Sequence, residues 1–440
     1  MSVSGGRGLS REKFNRNINL VFAARHVLRR AVFFIALALM LLFGCARQVH
    51  RGPGPALRPK FPSVRVLLDE NFTTGTLLLL GDYRLDSEEA VYILNKSVGT
   101  FQVRFSDGRL LFRSKQRRLS YRHIEKLDFI PLNDSSSFQW NGTLYRGKIT
   151  FRKIGGKIAV VNTLLLPWYL EGVVPNEIPS HTLDYLPAIE AQAVAARTFA
   201  FYQLQHPAAD YFDLFADTRS QVYRGTGKNA PLANKAIRET MGLVLADSAG
   251  KVTETQYHST CGGILDSGNK YFTGTARTNG VLNDKNDGDF NCAGSPLFRW
   301  VRSLNTRTLL KNLVSENFIS APVADSLRKN GFTLGLQVLS RSASGRITRL
   351  RVQINDHTID VANNRIRRLL RTGDDGALPS NLFFLKSSRQ DSAKFYIIGA
   401  GFGHGRGMCQ WGAIGQGLDG KTYRNILRFY YPALTLKKIY

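Results

Sequence analysis

The chain is short of acid, short of cysteine, and lacks any apolar run long enough to cross a bilayer comfortably. It sets 33 Asp and Glu against 60 Lys and Arg, a formal net charge of +27. Such a field favours an anionic polymer or surface, whether nucleic acid, acidic lipid headgroups or anionic cell wall. No zinc-finger spacing and no aromatic-basic ribonucleoprotein signature accompanies the charge, so nucleic acid is not an expected partner. The longest apolar run, Ala31 to Phe43, has thirteen residues, whereas a membrane span needs roughly 20. There is no internal repeat and no βαβ periodicity, which sets aside a solenoid and a doubly wound sheet.

What stands at the amino terminus is an export signal. Arg25, Arg29 and Arg30 precede the apolar run, with the positive residues on the cytoplasmic side. Leu42-Phe43-Gly44-Cys45 is similar to a bacterial lipobox, which makes Cys45 the expected lipidation site; an uncleaved signal anchor is the competing reading. Residues 1–45 are therefore expected to be signal or anchor, and the Pro-, Gly- and Arg-rich residues 46–62 a tether. Either way the body is expected to be exported, tethered to a membrane and periplasmic.

From 63 to 162 short alternating runs such as VRVLL, FQVRF and LYRGKITFRKI are separated by Gly-containing turns, which reads as a β-rich domain. From 163 to 440 helical segments mix with a β-meander at LGLQVLSRSASGRITRLRVQINDHTIDVANN. The expected fold class is α+β: an N-terminal β-rich domain, then a mixed helix and β-meander catalytic domain.

The richest stretch is LPWYLEGVVPNEIPSHTLDYLPAIEAQAVAARTFAFY, from Leu166 to Tyr202. It reads as a helix stopped by Pro175, a turn holding Glu177, and a second, Ala-rich helix from Pro187 to about Gln203. Pro175 and Pro179 stiffen the turn, and a fixed carboxylate suits acid/base chemistry. A helix cap or a solvated residue explains Glu177 as well from spacing alone. Near the other end, Gly399 to Gly407 holds five glycines in nine residues around His404. That density implies positive φ or a close backbone approach. No GK[ST] follows, so this is not a P-loop.

LEGVVPNEIP, EAQAVAARTFA, FDLFADTRSQVYRG, YHSTCGG and GAGFGHGRGMCQWGA, in that order, resemble the stage II sporulation protein D / LytB family. The weaker stretch FPSVRVLLDE resembles its first strand. The family includes lytic transglycosylases acting on peptidoglycan strands that lack stem peptides, and enhancers of a wall amidase. The resemblance implies that Glu177 is the catalytic acid/base, cleaving the glycosidic bond to leave a 1,6-anhydromuramoyl end. It implies substrate-binding positions at Gln192, Arg197, Gln221, Tyr223, His404 and Gln410. Peptidoglycan strands are the expected partner, with a wall amidase as a second.

Alternatives accompany these residues. Arg197 either meets a carboxylate or sugar acetamide, or is in a buried ion pair fixing two helices; Tyr223 either stacks on sugar or packs in the core. Cys261 and Cys292, both in loop-like sequence, are the expected disulfide of an exported protein, with Cys409 a small core residue. Together with His258 and His404, Cys261 and Cys292 could instead hold zinc, although they lack paired short spacing. No cofactor is otherwise expected. A cysteine–histidine hydrolase using Cys409 with His404, or Cys261 with His258, is a third reading.

Overall fold

The computed structural model describes residues 61–440 except 88–89, 123–124, 227–228, 267–281, 285–288, 374–375, 389 and 392. The expected signal or anchor, Cys45 and the tether up to residue 60 lie outside the described residues.

The alternating runs become strands β1 (Ser63–Phe72), β2 (Thr74–Leu80), β3 (Tyr83–Ser87), β4 (Val91–Leu94), β5 (Thr100–Ser106), β6 (Arg109–Arg113), β7 (Arg118–Arg122), β8 (Lys126–Pro131), β9 (Ser137–Trp140), β10 (Thr143–Arg146), β11 (Lys148–Ile154) and β12 (Lys157–Leu165). With β13 (Leu214–Phe215) they form two sheets, ordered β13-β1-β12-β11-β8-β3-β4 and β10-β9-β2-β5-β6-β7. Alternation buries one face of each sheet, and the two faces meet through aromatic rings. Phe112 of β6 lies 5.3 Å from Phe129 of β8 and 5.2 Å from Phe151 of β11, and Trp140 of β9 lies 5.4 Å from Phe151.

β12 runs directly into α1 (Leu166–Glu177), and a one-turn 3-10 helix at Leu183–Tyr185 leads into α2 (Leu186–Gln205). The Ala-rich α2 buries residues all round, from Ala188, Ala191 and Ala195 to Val194 and Phe199. Small side chains let α1, α3 (Pro231–Glu239) and β14 (Leu243–Ala246) pack closely against it. Beyond β15 (Tyr257–His258), β16 (Ile264–Leu265) and β17 (Leu282–Asn283), the chain builds a second hydrophobic cluster. It is formed by β18 (Arg299–Asn305), α4 (Thr306–Ser315), α5 (Ala321–Asn330), the meander β19 (Leu334–Arg341), β20 (Ile347–Ile354) and β21 (His357–Ala362), α6 (Asn364–Leu369), β22 (Phe383–Ser387) and β23 (Lys394–Ala400). The chain then returns to the first core with β24 (Met408–Cys409), α7 (Gln410–Leu418), α8 (Tyr423–Tyr430) and β25 (Thr435–Lys438). The fold is α+β, with strands concentrated at its amino-terminal side.

Two local expectations change. α1 continues through Pro175, so Glu177 is its last residue rather than part of a turn. The ring removes one backbone donor near the helix end, and Asn176 Nδ2 donates to Gly172 O (2.8 Å) while Ile178 N closes on Val174 O (3.2 Å). The stretch LVLADSAGKVTETQYHS reads as a hairpin around Ala249-Gly250, yet it forms only a bridge between Ala246 and Val252, because β14 pairs instead with β25. Among the described residues no helix is long and apolar enough to cross a membrane.

Candidate active site

Glu177 ends α1 at the wall of an open cleft of about 610 Å³, lined also by Pro175, Ile178, His181, Asn229 and Leu232. Its carboxyl is half-buried and held from two sides. The Val222 amide donates to Oε1 (2.7 Å) and Gln410 Nε2 donates to Oε2 (3.4 Å). Burial pushes the Glu177 pKa above the ordinary carboxylate value, and hydrogen bonds from Val222, Gln410 and Tyr257 partly offset that rise. Among the described residues no cation contributes to this balance. Among the described residues lining the cleft, Glu177 is the one carboxylate.

The other nearby acids are committed elsewhere. Arg65 donates to Asp213 through Nη2 (2.6 Å) and its backbone amide (2.7 Å). Arg219 engages Asp217 through Nη2 (2.8 Å) and its amide (2.9 Å), which fixes the local loop. Glu190 pairs with Glu239, and burial together with that neighbour raises its pKa to about 7. Asp184 is exposed in the one-turn helix.

The residues expected around Glu177 divide into two groups. Gln410, at the start of α7, reaches it and also donates to Gln192 Oε1 (3.5 Å), so Gln410 and Gln192 form a buried amide pair behind the carboxylate. Among the described residues Gln192 Nε2 has no partner. Gln221 stands one layer further back and does not face the cleft. Its Oε1 accepts from the Tyr169 hydroxyl (2.9 Å), and its Nε2 donates to the Tyr257 hydroxyl (2.8 Å) and to Ala196 O (3.2 Å). Fully buried, Gln221 is placed to orient Tyr257, and direct contact with substrate is corrected to this indirect position.

Arg197 is likewise corrected. It is fully buried, and its guanidinium donates to Thr240 O (2.9 Å), Leu243 O (3.1 Å) and Ile237 O (3.1 Å), tying α2 to the α3–β14 turn. It binds carbonyls, and among the described residues the expected ion pair is absent. Tyr223 is a core residue: its ring lies 5.1 Å from that of Tyr169, and its hydroxyl donates to Asn162 Oδ1 (2.8 Å). Buried in this way, Tyr223 does not line the cleft at Glu177.

The glycine loop adopts the expected left-handed backbone. At Gly407 (φ +67°) a Cβ would stand 1.8 Å from Gln256 O, so only glycine lets β24 lie beside β15. His404 at the loop's exposed edge does not line the cleft. Arg406 N donates to its Nδ1 (3.0 Å) and its Nε2 donates to Tyr257 O (3.1 Å). Loss of water around the ring nitrogens, with Arg406, Arg346 and Arg367 nearby, lowers its pKa to about 4. His404 is thus a neutral brace on Tyr257, the residue whose hydroxyl side meets Glu177. Nothing in the sequence singles out Tyr257 beyond its place at the head of YHSTCGG.

The expected Cys261–Cys292 disulfide is not formed. Both thiols are free and their sulfurs stand 3.4 Å apart, against about 2.05 Å for a bond. Cys409, expected as simple core, joins them: its Sγ accepts the Cys261 amide (3.2 Å). The histidines weighed with these cysteines stay outside the group, since His258 Nδ1 contacts Arg406 O (3.0 Å).

Comparison with known proteins matches these features. Residues 154–246, which contain Glu177 and the whole of α1 and α2, match the family described as Stage II sporulation protein. Residues 260–407, which hold Cys261, Cys292 and His404, match a domain of unknown function (DUF8618). An uncharacterised protein of Brachyspira hyodysenteriae is 30% identical over 310 residues, covering 70% of this chain and 76% of that protein. The amidase enhancer of Bacillus subtilis is 25% identical over 377 residues, which is 77% of this chain and half, 50%, of that relative. Stage II sporulation protein D of the same organism is 25% identical over 296 residues, 63% of this chain and 76% of that protein.

Proposed function

Because the chain belongs to the stage II sporulation protein D / amidase enhancer family, we propose that it acts on the cell wall as a peptidoglycan lytic transglycosylase. The bond cleaved is the β-1,4 link between N-acetylmuramic acid and N-acetylglucosamine, in strands that lack stem peptides. The observation that carries this reading is the solitary carboxyl of Glu177, fixed at a cleft wall with a raised pKa and no second carboxylate among the described lining residues.

One carboxyl suffices for this chemistry. Protonated Glu177 gives its proton to the glycosidic oxygen as the bond breaks through an oxocarbenium-like state. The carboxylate left behind takes the proton of the C6 hydroxyl on the same sugar, whose oxygen attacks C1 and closes the anhydro ring. The nucleophile is already attached, so no second acid is needed to hold a water. Val222 N and Gln410 Nε2 hold the carboxylate between the two steps. A hydrolase would need a second carboxylate at a set separation.

The setting of this activity is the cell envelope, with the protein exported and tethered through Cys45 or an uncleaved anchor, and its net charge of +27 suits an anionic wall. Strands stripped of stem peptides, incubated with the purified protein, should gain 1,6-anhydromuramoyl ends detectable by mass spectrometry. The relative named an amidase enhancer supports one competing role. If wild-type protein releases no such ends and yet accelerates a wall amidase, the chain is a wall-binding enhancer and the enzymatic reading fails.

A further inference from the structure

Behind the candidate site, β15 leads into a turn at Cys261-Gly262-Gly263, and β24 delivers Cys409 to the start of α7. Here one ligand atom each from Cys261, Cys292, Cys409 and Asp284 lie within 4.8 Å of one another, all on buried residues. We propose that these four side chains form a closed tetrahedral zinc site that fastens the loops behind Glu177. The inference does not rest on the enzymatic reading.

Spacing supports it first. Sulfur at about 2.3 Å and oxygen at about 2.0 Å from a tetrahedral zinc stand roughly 3.5–3.8 Å from one another. The Cys261 and Cys292 sulfurs are 3.4 Å apart, and Cys261 Sγ is 2.9 Å from Asp284 Oδ2. A shift of well under 1 Å per atom therefore opens the cluster around an ion. Three sulfurs and one carboxylate oxygen are a donor set for zinc rather than for magnesium or calcium, and four protein ligands leave no open position for catalysis.

The surroundings support it next. Asp284 Oδ1 accepts from the Tyr430 hydroxyl (2.8 Å) and Asn291 Nδ2 (2.9 Å), which turns the other oxygen toward the sulfurs. Outer partners orient metal-binding carboxylates in this way. The Gly263 amide donates to Cys261 Sγ (3.2 Å), and the Cys261 and Gly412 amides donate to Cys409 Sγ (3.2 and 3.3 Å). These amides fix where the two sulfurs point, as outer hydrogen-bond partners do at metal sites. At Gly412 a Cβ would meet Asp284 Oδ2 at 2.4 Å, so the first turn of α7 closes tightly on the cluster. Gln410, which touches Glu177, follows Cys409 directly. An ion on Cys409 thus anchors the residue that holds the acid.

The test is metal content and thiol state in the full-length protein purified without added chelator. Elemental analysis should give one zinc per chain. Peptide mapping should find Cys261, Cys292 and Cys409 reduced, shielded from a thiol reagent until the metal is stripped. Cobalt(II) exchanged into the site should give the visible bands of a tetrahedral, thiolate-bound ion. Cys292→Ser should lower zinc occupancy. Tyr430→Phe, which keeps the packing but removes one of the two hydrogen bonds on Asp284 Oδ1, should weaken zinc binding by about 10–100-fold. Metal-free protein with freely reactive thiols overturns the proposal, as does a Cys261–Cys292 disulfide in the purified chain. Unchanged zinc affinity in Asp284→Ala removes Asp284 from the ligand set.

Discussion

Replacing Glu177 with glutamine changes one oxygen to an amide nitrogen and leaves almost every contact possible. The glutamine Oε1 can still accept from Val222 N, now 2.7 Å away, and Gln410 can rotate its amide to offer oxygen to the new Nε2. What is lost is the proton. General acid and base contributions are worth about 10²–10⁴ in rate, so Glu177→Gln should cut strand cleavage by that factor, roughly 3–5 kcal/mol of barrier. Stability should move the other way. The raised pKa means that folding disfavours the ionised carboxyl, so the native acid contributes stability below its unfolded pKa and loses it as pH rises through the folded one. At neutral pH the variant should therefore melt at or above the wild-type temperature, by differential scanning calorimetry. Rates come from chromatography of anhydro-ended fragments. A variant that melts normally and still cleaves at wild-type rate would refute the role given to this carboxyl.

Gln410→Ala removes a hydrogen bond that lowers the Glu177 pKa. The alkaline limb of the pH–rate profile should shift upward, with the cleavage rate reduced; an unmoved profile would disconnect α7 from the acid. Arg197→Met strands three buried carbonyls that now receive guanidinium bonds, a loss of roughly 3 kcal/mol or more in urea unfolding. A surviving folded fraction should keep the wild-type pH profile, because the guanidinium does not face the cleft; a shifted profile would return Arg197 to the site. Gly407→Ala forces a Cβ toward Gln256 O in left-handed backbone, so it should cost about 1–2 kcal/mol or more in thermal unfolding. Wild-type stability there would mean that β24 does not lie against β15 as described.

The sequence made the local features legible and hid the long-range ones. The Ala-rich composition of α2 marked a helix packed on many sides, and the glycine density of 399–407 marked left-handed backbone, because both are written in consecutive residues. The extent of α1 was misjudged, since Pro175 lies in the last turn, where the Asn176 side chain covers a carbonyl. β14 found its partner in β25 almost two hundred residues later, a pairing without local signature. The same holds for the cysteines. Cys261 and Cys292 looked like a pair because they share a loop-like region, while Cys409 reaches them only through the parallel pairing of β15 and β24. Asp284 sits in a run of Asn and Asp with nothing to single it out. Arg197 resembled a ligand-binding group, yet tertiary packing fills its surroundings with carbonyls rather than solvent.

The sharpest measurement runs the cleavage in water enriched with heavy oxygen and weighs the new sugar ends. Attack by the tethered C6 hydroxyl brings in no solvent oxygen, so every new muramoyl end should be the anhydro form without the label. New reducing ends carrying solvent oxygen would show that water is the nucleophile, and the single-carboxyl account of Glu177 would be wrong.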